Sequence, residues 1–116
     1  MEERKIAYYL PYRAVAWLYL EQGRAEEAWT YIRTAVDMAP DVALNQFLLG
    51  KAAWARKDAD TAVGALRAAC SLDDAFLEAH YLLAQIFESR GDGASARQHL
   101  EEFNAKKDLY GVGRLP

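Results

Sequence analysis

The chain writes one pattern three times, 34 residues apart: "LEQGRAEEAWTYI", "ARKDADTAVGAL" and "SRGDGASARQHL". Each copy has a short polar break followed by a stretch centred on alanine. Stepping through the chain by 34 pairs like with like. Ala16, Gly50 and Ala84 are small; Val15, Leu49 and Leu83 are aliphatic. Ala28, Ala62 and Ala96 are identical, and Ile32, Leu66 and Leu100 are aliphatic again. A small residue at a fixed place in every copy means that two backbones approach closely there, because a larger side chain would force them apart or strain its rotamer.

Between the breaks the apolar residues recur at helical spacing. Val15, Leu18 and Tyr19 mark one face, and Ala28, Ile32, Ala35 and Met38 mark another. The pattern predicts six helices over about 10–22, 25–38, 42–56, 59–72, 75–90 and 93–106. Links this short make neighbouring helices pack antiparallel. Pro11 suits a first helical turn, where its missing N–H is no loss. Gly23 and Gly91 suit left-handed helix ends, but the matching position of the middle copy is Lys57. Lysine there either costs about 1 kcal/mol relative to glycine or closes the helix another way. Asp41 and Asp74 are expected to cap helix starts.

The period and the small, aliphatic and aromatic positions closely resemble the tetratricopeptide repeat, a helical hairpin of this length. The late alanine of its second helix is Ala35, then Ala69, then Phe103; its closing proline is Pro40, then Asp74, then Asp108. Its early tryptophan position holds Tyr12, Gln46 and His80. The resemblance implies an all-α, right-handed superhelical stack of three helix-turn-helix hairpins, over about 9–42, 43–76 and 77–110. One domain is expected over 10–108, with an arm or short helix at 1–9 and a tail at 109–116. One hairpin cannot bury its apolar face alone, whereas three stacked in register build a continuous core.

The resemblance also implies that the first helix of each hairpin lines a concave face. The expected partner-binding residues are Leu10, Arg13, Trp17 and Leu20, then Leu44, Phe47, Lys51 and Trp54, then Tyr81 and Gln85. Aromatic and arginine side chains are the usual anchors of interfaces. The expected function is therefore a non-catalytic adaptor or chaperone-like module that takes a partner's peptide or helix in an apolar groove. The alternative is a structural or oligomerisation domain, on its own or as part of a larger protein, whose rings are covered by its own ends or by a second copy. Members of the family that clamp a terminal carboxylate do so with polar residues. The matching positions here hold Arg13, Trp17, Leu48, Glu78 and Leu82, and only the arginine suits that ligand.

Other classes find little support. The 14 basic and 17 acidic side chains are interspersed, with no basic stripe for nucleic acid. Apolar runs are too short for a membrane span or a signal-peptide core, so a full-length chain of this kind would be cytoplasmic. The single cysteine, Cys70, allows no internal disulfide and reads as a small apolar side chain. His80 and His99 lie 19 apart on different helices without a paired cysteine, which is no metal spacing. Acidic pairs such as Glu26–Glu27 and Asp73–Asp74 diverge on a helix or cap one, and no phosphate loop or nucleophile elbow occurs. No catalytic, cofactor-binding or metal-binding residue is expected. At the ends, Tyr8 and Tyr9 offer apolar surface for docking. Leu109, Tyr110, Val112 and Leu115 are candidates to fold over the last hairpin, with a homodimer as the other way to cover it.

Overall fold

The computed structural model describes residues 8–109, so most of the arm and the tail from Tyr110 lie outside the described residues. Among the described residues six helices follow in order: α1 (Leu10–Glu21), α2 (Ala25–Met38), α3 (Ala43–Ala55), α4 (Ala59–Leu72), α5 (Leu77–Ser89) and α6 (Gly93–Leu109). They pair as three hairpins, α1–α2, α3–α4 and α5–α6, each packed on the next, and α1 also touches α3. The all-α stack expected from the repeat is therefore what forms.

The small residues set the spacing. Ala16, Ala28, Ala35, Ala62 and Ala69 are fully buried, and Ile32, Leu66, Leu83 and Ile86 fill the space between them. Among the described glycines, Gly50 has the least room. A methyl group added there would lie 2.7 Å from Leu66 Cγ and 2.9 Å from Leu66 Cδ2. The hairpins are also tied at their edges. Arg56 Nε donates to Glu26 Oε1 at 3.1 Å, and Arg90 Nη1 lies 3.5 Å from Asp60 Oδ1. These pairs occupy equivalent repeat positions, so the same ion pair clamps each junction.

Helix ends follow the sequence in part. Gly23 (φ 74°) and Gly91 (φ 81°) adopt the left-handed conformation, and Lys57 adopts it too, at φ 68°. The middle hairpin thus closes in the same way as its neighbours and carries the steric cost of a side chain. Asp41 and Asp74 do not cap: α3 and α5 begin one to two residues later than expected, from Val42 and Phe76, with no side-chain cap. Asp74 instead pairs with Lys106 at 3.1 Å. The working caps are Asp58, which accepts from the Thr61 N–H at 3.2 Å, and Asp92, which accepts from the Ser95 N–H at 3.1 Å. Of the two arm tyrosines described, Tyr9 is buried against the core and Tyr8 is exposed.

The ends of the stack break the repeat's burial pattern. Ile32 and Leu66 are fully buried, but Leu100 at the same register is 42% exposed. Leu18 is 57% exposed, although Ile86 and Ala52 at its register are fully buried. Both side chains lie on the first or last hairpin of the described residues, where no described hairpin packs on their outer side.

Candidate functional site: a groove between the first helices

Helices α1 and α3 lie side by side, and residues three and four apart on each point into the space between them. The result is a groove of about 620 Å³ lined by Leu10, Arg13, Ala14, Trp17 and Glu21 of α1, Leu44, Phe47, Leu48 and Lys51 of α3, and Glu78 of α5. Leu48 and Phe47 form a buried floor, whereas Trp17 is 53% exposed on the rim and Leu10 and Leu44 are exposed beside it. The floor is fixed by packing: the Phe47 ring lies 4.8 Å from that of Phe76, and Lys51 Nζ sits 5.7 Å from the Phe47 centroid. On the rim, Trp17 Nε1 donates to Glu21 Oε2 at 3.1 Å, which orients the indole.

Arg13 is held from below. Its Nη1 donates to Asn45 Oδ1 at 3.3 Å, and its guanidinium carbon lies 5.1 Å from the Tyr9 ring centroid. Asn45 is fully buried, and its Nδ2 donates to the carbonyls of Ala35 and Ala39 at 3.4 and 3.2 Å. One amide thus satisfies the C-terminal carbonyls of α2 and anchors a groove arginine of α1. This role was missed in the sequence, where the only signal is a polar residue inside the apolar run "ALNQFLL".

The structure brings Leu10, Arg13, Trp17, Leu44, Phe47 and Lys51 to this groove. Four expected residues stand elsewhere. Leu20 and Trp54 are partly buried against the hydrophobic core, because they sit a turn further along, where the hairpins close on each other. Tyr81 and Gln85 line a separate cavity of about 670 Å³ on the outward face of the last hairpin, with Ala96 and Leu100. Among the described residues nothing packs on that face to make a groove. Phe47 is itself more core than surface, at 9% exposure.

A second cluster lies between α5 and α6. Antiparallel packing sets His80 opposite His99 and Glu102, and one donor atom from each lies within 4.8 Å of the others. His99 Nδ1 is 3.3 Å from Glu102 Oε1, and His80 Nδ1 is 4.0 Å from the same oxygen. His80 is 3% exposed, and neither of its ring nitrogens has a hydrogen-bond partner among the described residues; His99 Nδ1 has none either. The His99 ring stacks on Phe87 at 5.6 Å with an interplanar angle of 3°. Burial lowers the His99 pKa, against the opposing pull of the Glu102 carboxylate. Nearby Cys70 is half-buried, and burial pushes its thiol up to about 11, so it behaves as the inert side chain expected.

The tetratricopeptide repeat family matches residues 14–76, more than half of the chain, and the chain belongs to that family. That makes it a protein-interaction scaffold. Among solved structures it is similar to MamA (residues 41 to the end) from Desulfovibrio magneticus RS-1, with a TM-score of 0.84 and 19% identity over 87% of this chain and 57% of that one. It is also similar to the MamA RS-1 ArsTM double mutant, with a TM-score of 0.84 and 19% identity over 88% of this chain and 57% of that one. A crystal structure of MamA matches with a TM-score of 0.83 and 21% identity, over 86% of this chain and 58% of that one. The chain thus spans less than two thirds of the length of these structures, and at such identity the likeness is one of fold. No curated protein matches the chain. No helix among the described residues is long and apolar enough to cross a membrane.

Proposed function

We propose that the chain is a non-catalytic binding module that takes an apolar segment of a partner protein, an extended peptide or an amphipathic helix, in the α1–α3 groove. The observation that carries this reading is Trp17, a large ring left 53% exposed on the rim of a concavity whose floor is buried leucine and phenylalanine. Aromatic anchors beside a desolvated floor supply most of the free energy of such contacts. Arg13 and Lys51 bring positive charge and Glu21 and Glu78 negative charge to the lining, which suits a segment of mixed charge. Glu78 and the leucine floor disfavour a terminal carboxylate. The test is capture from the source cell's lysate by the wild type and by a Trp17→Ala/Leu44→Ala variant. Both substitutions fall at exposed positions, so circular dichroism should show the fold retained. One protein should be lost selectively with the variant. An unchanged set of captured proteins would remove the groove from consideration.

A second reading, self-association, is favoured by the broken burial pattern at the two ends. Leu100 at one end and Leu18 at the other are exposed at registers that are buried in the other hairpins. A second copy stacked end to end would cover both, a head-to-tail contact that extends the array. Light scattering should then show a mass that grows with concentration and returns to that of a monomer in Leu100→Glu. A strict monomer at high concentration would exclude it.

A further inference from the structure

We propose that His80, His99 and Glu102 form a binding site for one divalent transition cation of the zinc type, which clamps α5 to α6. The donor set is the first argument. Two imidazoles and a carboxylate suit zinc, nickel or cobalt and are poor partners for magnesium or calcium, which take oxygen ligands. The geometry is the second. Metal–ligand bonds of about 2.0–2.1 Å place tetrahedral ligands about 3.3 Å apart. The 3.3 Å between His99 Nδ1 and Glu102 Oε1 already has that value. His80 Nδ1 is 4.0 Å from the same carboxylate oxygen, and since the three donors lie within 4.8 Å of one another, His80 must draw in by up to about 1.5 Å to join them.

The third argument is independent of the distances. Buried polar atoms are nearly always hydrogen-bonded, and each exception asks for a reason. His80 is almost wholly buried, lines the α5–α6 cavity of about 490 Å³, and has neither ring nitrogen bonded among the described residues. A histidine retained there for packing alone would be served better by an apolar ring. A cation gives its lone pair a partner. Arg67 lines the same cavity with its guanidinium over Phe87 at 5.4 Å, and Lys106 pairs with Asp74 at 3.1 Å, so a bound metal would sit beside these cations. Three protein donors leave a coordination position facing the cavity, open to water or to a partner's side chain.

The linear spacing of the two histidines hides this arrangement. His99 and Glu102 are three apart on one helix and share a face, while His80 comes from the antiparallel neighbour. Isothermal titration of the full chain with zinc chloride should give one site per chain, with no comparable response to magnesium. Glu102→Gln and His99→Gln, both at partly exposed positions, should each weaken zinc binding at least tenfold while circular dichroism stays unchanged. Long-range ¹H–¹⁵N spectra of the wild type keep the test independent of the variants: zinc should shift the ring nitrogens of both His80 and His99. The proposal is overturned if no zinc binds, if binding survives both substitutions, or if either histidine ring is unmoved by the metal.

Discussion

Gly50 lies against the side chain of Leu66, so close that a β-carbon on the glycine would sit 2.7 Å from Leu66 Cγ. Leu66 is fully buried and has no exit. The equivalent sites, Ala16 and Ala84, carry a methyl group, whereas at Gly50 that space is taken by Leu66. Gly50→Ala should therefore destabilise the chain by about 1–2 kcal/mol, the overpacking cost less the helical gain of alanine over glycine. Denaturant unfolding checks the value. Adding Leu66→Val should recover part of the loss through coupling of the two sites. A stabilised Gly50→Ala variant would show that the hairpin is not this tight.

Lys57 adopts φ 68° where its two counterparts are glycines. Lys57→Gly should stabilise the chain by about 0.5–1 kcal/mol, because it relieves a left-handed side chain on an exposed turn. Thermal unfolding reads the change directly. A loss of stability would mean that the lysine makes a compensating contact at the turn.

Asp58 and Asp92 cap α4 and α6, and hydrogen bonds from Thr61 and Ser95 hold both carboxyls below the usual aspartate value. A folded-state pKa lowered in this way adds stability that is present above the unfolded pKa and is lost as the pH falls through the folded value. The melting temperature should fall as the pH drops below about 4. A double Asp58→Asn/Asp92→Asn variant should show a flatter acid limb, since asparagine keeps the cap without the titration. An acid limb identical to that of the wild type would place the sensitivity in other carboxylates.

Much of this was legible in the sequence because a repeat reports tertiary structure locally. The recurrence of Ala28, Ala62 and Ala96 states that helices meet at those points, and they do. The groove was legible as a stripe through Leu10, Arg13 and Trp17 and on through Leu44, Phe47 and Lys51. The same stripe also carries Leu20, Trp54, Tyr81 and Gln85, which stand outside this groove, because periodicity marks a face of each hairpin without saying which neighbour packs on it. Asn45 and the His80–His99–Glu102 cluster were hidden for another reason. Each is a contact between helices whose partners share no motif in the linear chain, so only packing brings them together.

The most direct test of the groove is site-specific photo-crosslinking in the source cell. A photoreactive side chain would be placed at position 17, and in a parallel protein at exposed Thr30 on α2, away from the groove. The groove account predicts one discrete adduct from position 17, absent from position 30 and abolished by Leu44→Ala. Equal labelling from both positions, or adducts from position 30 alone, would contradict it.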